Sequence, residues 1–365
     1  MYDYLIIGSG LFGSICAREL TNSGFKCLVI DKRNHIGGNC YTENIEGINV
    51  HKYGAHIFHT SDDGVWNYMN KYTKFNHFVN RPKVNFKNEI YSFPINLMTL
   101  YQIYKVTTPE QAKLILNNVK SDIPTPKNLE EWVLSQVGKE IYEIFIKGYT
   151  TKQWGRDPKE LPSSIIKRLP IRLNYDDNYF FDKYQGIPIG GYTEIFKKLL
   201  DGIDIMMEID YFKDREKWNG LGKKIIYTGP IDKFYDYKFG FLEYKTTKFE
   251  HKLLNVENYQ GTSVMNFTDI ETEFTRIIEH KHFEKNNTEN TWVTWEYPVN
   301  YEPEKSEPMY PVNDSENNSK YSKYKELEST EKNIIFGGRL AEYKYYDMHQ
   351  VIESALSTIK KMTNG

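Results

Sequence analysis

An α/β fold is predicted for this chain: a Rossmann-like dinucleotide-binding domain carrying a helical insert and an antiparallel β-sheet domain. Three observations predict it. The chain opens on a β-type run, Tyr4-Leu5-Ile6-Ile7, followed at once by Gly8-Ser9-Gly10-Leu11-Phe12-Gly13 and a helical stretch over residues 14–23. Two more apolar runs that end in glycine, at 224–230 and 333–339, return much later in the chain. Between these lie one stretch with helical periodicity and one alternating stretch rich in Thr, Tyr, Phe and Trp.

The opening unit is the most specific. Gly24 follows the helix at the position where a left-handed backbone is favourable only for glycine, and a second strand, Lys26-Cys27-Leu28-Val29-Ile30, ends at Asp31. Gly8 permits the tight turn, Gly10 lets backbone approach a pyrophosphate, and Gly13 lets helix and strand pack closely. Phosphates then meet the helix N-terminus, where free N–H groups and the dipole favour negative charge. Asp31 stands eighteen residues beyond Gly13, where a carboxylate should accept the ribose hydroxyls of an adenosine. Lys32 and Arg33 suggest an NADP 2′-phosphate, but Asp31 would repel that group. An acid followed within a turn by Gly37-Gly38 is similar to the FAD proteins of the amine-oxidase and glutathione-reductase type, so FAD is the cofactor expected.

Residues of about 96–160 read as helices. Thr108-Pro109-Glu110-Gln111 is a capping box with proline at the first helical position. Residues 129–149 put Trp132, Val133, Val137, Ile141, Ile144 and Phe145 on one face of a single helix. Residues of about 236–312 read as an antiparallel sheet and the polar stretch 313–322 as a loop. A last helix is expected from about 347 to 362, with Val351, Ile352, Ala355, Leu356 and Ile359 at helical spacing; its start at Asp347 offers a second N-terminus to the cofactor. The domains implied are a discontinuous FAD-binding domain (1–78, 187–235, 318–365), a helical domain (95–165) and a sheet domain (79–94, 166–186, 236–317) with a mobile loop near 165–175.

The composition is that of a soluble globular protein, 39% hydrophobic and 26% charged, and 365 residues exceed one ordinary core. A net charge of -2 argues against a nucleic-acid or membrane-surface protein. Met1 leads straight into the first strand, so no export leader is expected, and no run approaches the roughly 20 apolar residues of a membrane span. Cys16, Cys27 and Cys40 form no metal-ligand spacing, and reduced thiols in a cytoplasmic protein are the simplest reading. His51, His56 and His59 are irregularly spaced and lack a carboxylate partner in pattern, so no metal is expected. The 29 tyrosines are ambiguous as a count; only their placement separates a sugar-nucleotide site from compositional drift.

Five further runs are HKYGAHIFH at 51–59, KGYTTKQWG at 147–155, GIPIGGY at 186–192, RIIEHKHF at 276–283 and GRLAEYKYYDMH at 338–349. With the opening motif, in order and across essentially the whole chain, they resemble the bacterial UDP-galactopyranose mutases. That resemblance implies an isomerase contracting UDP-galactopyranose to UDP-galactofuranose, with no net redox. In that family the N5 atom of reduced FAD attacks the anomeric carbon and expels UDP, and the furanose product feeds cell-surface polysaccharide. It also implies a cytoplasmic homodimer.

The resemblance assigns residues as well. Arg168 and Arg276 match the two arginines that grip the diphosphate, a task suited to a planar, permanently charged fork. Arg172 is a weaker candidate, and any arginine read alone is more simply a solvated surface charge. Tyr149 matches the ring that stacks on uracil, with Phe145 and Ile146 beside it, although Phe145 equally suits an apolar core face. Thr150, Trp154, Asn80 and Asn266 match further substrate contacts, and Tyr179, Tyr310 and Tyr345 match phosphate-binding hydroxyls, their spread over separate segments fitting a composite cleft. His56 matches the histidine beside the flavin. Phe12, Lys32, Arg33, Gly38, Asn39, Arg339, Tyr345, Asp347 and Met348 join Gly8, Gly10, Gly13 and Asp31 at the cofactor. Asp31 departs from the glutamate frequent in relatives, one methylene longer, and its ribose contact is expected to survive. Two rivals share the opening motif. An amine-oxidase-type FAD oxidoreductase needs no paired diphosphate arginines, and a GTPase-escorting scaffold of the same fold need not keep flavin-binding residues.

Overall fold

The protein is described from a computed structural model that covers residues 1–167 and 169–363. It divides into two compact units, one of Met1–His77, Asp182–Thr246 and Tyr301–Gly365, the other of Phe78–Phe181 and Thr247–Asn300. This differs from the three domains expected. The helical stretch and the sheet share one unit, residues 301–317 belong with the dinucleotide fold, and Tyr184–Gly186 pairs with Phe58–Thr60 of that same fold.

The first unit is built on a five-stranded parallel sheet in the order Ile334–Phe336, Gly222–Tyr227, Tyr2–Ile7, Cys27–Ile30, Asp204–Met206. A parallel sheet is covered on both faces, so its strands read as unbroken apolar runs. Accordingly Ile6, Val29 and Ile226 pack with Ile15, Leu20, Phe196 and Ile352 on one face. Leu5, Ile7, Leu28 and Ile225 pack with Phe234, Tyr227 and Tyr324 on the other. The helices Leu11–Asn22 and Met348–Thr363 lie against one another on the first face.

The second face explains much of the tyrosine surplus. Tyr227, Tyr244, Tyr324 and Tyr343 are fully buried, and each spends its hydroxyl on a backbone carbonyl. Tyr324 donates to Gly240 O at 2.7 Å while accepting from Phe239 N at 2.9 Å. A buried phenol needs such a partner, and these rings find theirs in irregular backbone. They are core residues, not sugar ligands.

Two expectations fail here. Residues 313–322 are not a loop, because a helix runs Ser315–Glu328, capped by Asp314, whose Oδ1 accepts from Asn317 N at 2.8 Å. It is polar almost all round, which hides its periodicity, and it is anchored by Tyr321 and the buried Tyr324. Nor is the second unit's sheet wholly antiparallel: Val264–Phe267 pairs with Arg276–Glu279 antiparallel but with Lys83–Phe86 in parallel.

The helical part of the second unit comprises Leu97–Tyr104, Pro109–Val119 and a long interrupted helix. Half of the expected capping box forms, Thr108 Oγ1 accepting from Gln111 N, while Gln111 turns back to Thr107 N instead. The long helix is not continuous from 129 to 149. Gly138 has φ +78°, and a Cβ there would lie 2.5 Å from the Val119 carbonyl oxygen. Beyond it the chain widens into a π turn over Tyr142–Lys147 before Gly148–Trp154 resumes α geometry. The apolar face still holds, with Leu129, Val133, Val137, Ile141 and Phe145 in one core.

Candidate cofactor and substrate sites

The strand ends of the first unit define a cradle. Gly13 packs so closely that a Cβ would stand 2.0 Å from Gly8 O, and Gly8 itself has φ +109°. Gly10 and Gly38 meet backbone to backbone, since a Cβ on Gly38 would lie 2.9 Å from Gly10 Cα. Asp31, at the end of the second strand, accepts from Ser9 N and Ser9 Oγ, both at 2.7 Å, and from Arg33 N at 3.0 Å. The carboxylate thus ties the glycine turn to the strand end, with a lone pair left over on Oδ1 for a hydroxyl.

One cavity in this unit is lined by every residue expected at the cofactor except Tyr345 and Asp347. It is also lined by residues the sequence did not single out: Ile209 to Phe212, Lys233 and Glu307. Glu307 Oε1 sits 2.7 Å from Lys32 Nζ, and Oε2 lies 3.8 Å from Arg33. A second carboxylate beside Asp31 weighs further against a 2′-phosphate. Nothing around Glu307 in the sequence marks it, because its partners lie far upstream.

His56 lines the same cavity. Its Nδ1 is 2.8 Å from Gly54 O, which can only accept, so the proton sits on Nδ1 and Nε2 is an acceptor. Burial, then the charge of Arg339, lowers its pKa to about 4; burial and His56 lower that of His51 to about 3. Both histidines are neutral when folded but would charge when unfolded below about pH 6.5. Their stabilising contribution is therefore complete above that value and is lost as pH falls towards 4. The thermal midpoint is expected to drop steeply across that window, each histidine adding up to ~1.4 kcal/mol per pH unit. Denaturation followed from about pH 7 to about pH 4 checks this, and a flat profile contradicts it.

His59 has carboxylate partners after all, supplied by the fold and not by spacing. Its Nδ1 is 2.7 Å from Asp182 Oδ2, and its ligand atoms lie within 4.8 Å of those of Asp347 and His349. Asp347 precedes the last helix, which begins one residue later at Met348; its backbone N donates to Gln350 Oε1 at 2.9 Å. Tyr310 and Tyr345 stack with ring centroids 5.3 Å apart, and the Arg339 guanidinium lies over both rings. Arg339 donates from Nη2 to Tyr346 O at 2.6 Å, while its buried Nε has no hydrogen-bond partner among the described residues. An unspent buried donor on a cation suits an anionic ligand.

The second unit holds the other expected substrate residues. Arg276 Nη2 donates to the Tyr149 hydroxyl at 3.1 Å, and its Nε lies 3.5 Å from Glu296 Oε2. Asn266, paired with Arg276 across the strands, is buried and donates to Lys83 O at 3.3 Å. Asn80 and Thr150 are also buried, and Asn80 O accepts from Tyr179 N at 2.8 Å. Phe145 and Ile146 sit in the core, Phe145 edge-on to Tyr91 at 5.5 Å and parallel to Phe93 at 6.1 Å; Trp154 packs at the edge of that core. Arg172 is buried, lies over the Phe181 ring at 4.2 Å and donates to the Asp176 and Asn178 carbonyls. Backbone hydrogen bonds tie Arg172 and Asn174 to Ile95 and Leu97, the later half of the loop expected to be mobile. Arg168 lies outside the described residues.

A parallel sheet with glycine turns and a terminal carboxylate at its strand ends, lining one cavity, marks a dinucleotide-binding domain, and the family that the chain matches makes that dinucleotide FAD. Residues 144–345 match the family model for UDP-galactopyranose mutase, and residues 6–72 that for an NAD(P)-binding Rossmann-like domain. A dTDP-fucopyranose mutase of Escherichia coli is 43% identical over 98% of this chain and 97% of its own. A probable UDP-galactopyranose mutase of Klebsiella pneumoniae is 42% identical over 98% and 93%. The chain belongs to the UDP-galactopyranose mutase family. The crystal structure of a reduced UDP-galactopyranose mutase superposes with a TM-score of 0.75, at 17% identity, covering 100% of this chain and 94% of that one. Putrescine oxidase, with a TM-score of 0.60 at 11% identity over 100% and 99%, shares the fold alone.

Proposed function

We propose that the protein interconverts the six- and five-membered ring forms of a nucleotide-diphosphate sugar, UDP-galactopyranose and UDP-galactofuranose, with reduced FAD. The observation that carries this reading is Arg276, paired with the Tyr149 hydroxyl at 3.1 Å and backed by Glu296. An amine oxidase has no need of such a cation, whereas expulsion of a diphosphate does. Bound and reduced, FAD supplies an electron-rich N5 as the nucleophile at the anomeric carbon. The chain's own residues do the rest. Gly8, Gly10, Gly13 and Asp31 hold the adenosine diphosphate half of the cofactor, and Arg339 offers its unspent Nε to an anion. His56, neutral with its proton on Nδ1, presents a lone pair at the cavity. Arg276 neutralises charge as it builds on the departing diphosphate, with Arg168 as the second cation of this reading, and Tyr149 stacks on the base. Hydroxyls of Tyr179, Tyr310 and Tyr345 and the amides of Asn80 and Asn266 complete the ligand set.

The 43% identity to a dTDP-fucopyranose mutase favours testing a second sugar nucleotide beside the first. Dithionite-reduced protein incubated with UDP-galactofuranose, and in parallel with dTDP-fucofuranose, is followed by chromatography. Conversion of the uridine substrate at the higher kcat/KM is expected. Preference for the thymidine substrate would reassign the sugar, and turnover of neither would end the proposal. No helix among the described residues is long and apolar enough to cross a membrane. The same reading takes the protein as a cytoplasmic enzyme that supplies furanose for cell-surface polysaccharide. A homodimer belongs to the same reading, since the helices Leu97–Tyr104 and Pro109–Val119 leave Met98, Tyr101 and Leu114 exposed.

A further inference from the structure

Lys152 lies on the same short helix as Tyr149, Thr150 and Trp154, yet no ligand contact has been assigned to it. Its Nζ donates to three backbone carbonyls, Phe267 and Thr272 at 2.9 Å each and Phe274 at 3.0 Å. Phe267 ends the strand Val264–Phe267, and Thr272 and Phe274 lie in its connection to Arg276–Glu279, the strands that set Asn266 opposite Arg276. Helix and connection touch at two more points. A Cβ on Gly148 would lie 2.2 Å from Thr268 O, and the Thr268 hydroxyl donates to Ile144 O at 2.5 Å.

We infer that Lys152 is a positioning residue for nucleotide binding: as an ammonium ion it fastens the 267–276 connection to the helix and thereby sets the Tyr149–Arg276 pair. The inference rests on the diphosphate-binding role proposed for that pair. Three carbonyls require three donors; an ammonium supplies three and a neutral amine only two. Loss of the proton therefore strands one acceptor and frees the connection to shift. Burial lowers the Lys152 pKa to about 8, against Asp269 and Glu271, the acids of the connection that face it and hold it up. Asp269 also braces the connection, accepting from Thr272 N at 2.8 Å. The sign of the linkage separates positioning from stability. A lysine whose folded pKa lies below its unfolded value pays a burial cost that is relieved as pH rises above 8, so Lys152 does not lower fold stability there. Nucleotide affinity falls over the same range.

The test titrates UDP calorimetrically into flavin-loaded protein, recording thermal midpoint and flavin absorbance alongside. Wild type is expected to bind about fivefold more weakly at about pH 9 than at about pH 7, with no loss of midpoint. Lys152→Met should bind about tenfold more weakly at about pH 7, with little further decline. Asp269→Asn keeps the brace but removes a charge that raises the lysine pKa, so its affinity should decline at lower pH than that of wild type. Equal wild-type affinity at the two pH values, or wild-type affinity in Lys152→Met, overturns the inference. Should Lys152→Met fail to fold, the Asp269→Asn shift decides it, and an unshifted profile overturns it. Wild type that binds no UDP at all overturns the diphosphate reading beneath.

Discussion

Arg276→Ala is expected to retain its flavin and lose kcat/KM by on the order of 10³-fold. Two effects add. The substitution removes a permanently charged fork from the place proposed for a diphosphate leaving group, where charge grows in the transition state. It also strips Glu296, only 10% exposed at its side chain, of its cation. A nearly buried carboxylate that has lost this cation then repels the same diphosphate the arginine would have attracted. Arg276→Lys restores the charge without the fork and should recover part of the loss. Glu296→Gln keeps the arginine and an acceptor oxygen beside it and removes only the carboxylate's charge, so a smaller change is expected. Steady-state kinetics of the reduced enzyme, read beside the flavin absorbance of each preparation, checks all three. Loss of flavin in Arg276→Ala would place this arginine at the cofactor instead.

Gly13→Val is expected to purify without flavin and to unfold at a lower temperature. A Cβ at residue 13 would stand 2.0 Å from Gly8 O, a backbone atom that cannot rotate aside. The helix Leu11–Asn22 must then tilt away from the first strand, opening the turn that Asp31 holds through Ser9. Overpacking of this kind costs about 1–3 kcal/mol by itself, and valine's branched Cβ adds to it. The larger effect is on the cofactor, whose pyrophosphate needs the turn and the helix N-terminus in register. Absorbance of the purified variant, before and after incubation with excess FAD, measures this. A yellow protein with wild-type flavin content would contradict it.

The cofactor fold is legible because its signals are local. Residues 4–31 carry strand, turn, helix, strand and acid in order, and Gly13 answers a steric demand within the same segment, set by Gly8 O. The return strands could be read as well, since a sheet covered on both faces leaves apolar runs such as Ile334–Phe336. What was lost depended on neighbours far along the chain. The helix Ser315–Glu328 is solvated on most sides and draws its stability from Tyr324 and an Asp314 cap, so no apolar stripe announces it. Gly138 breaks its helix because Val119 O approaches from the preceding one. At the candidate sites, Arg276 is singled out by family resemblance alone. Its partners Tyr149 and Glu296, and Glu307 beside Lys32, are contacts no spacing rule could supply.

A flavin that serves as a nucleophile undergoes no net redox change, and the ratio of product to reductant tests this most directly. Anaerobic enzyme is reduced once with a single equivalent of dithionite per flavin, then given excess UDP-galactofuranose. Many molecules of UDP-galactopyranose per reduced flavin, with the flavin still reduced at the end, is the result predicted. One product or fewer per electron pair, with reoxidised flavin, would contradict the account and return the protein to the flavin oxidoreductases.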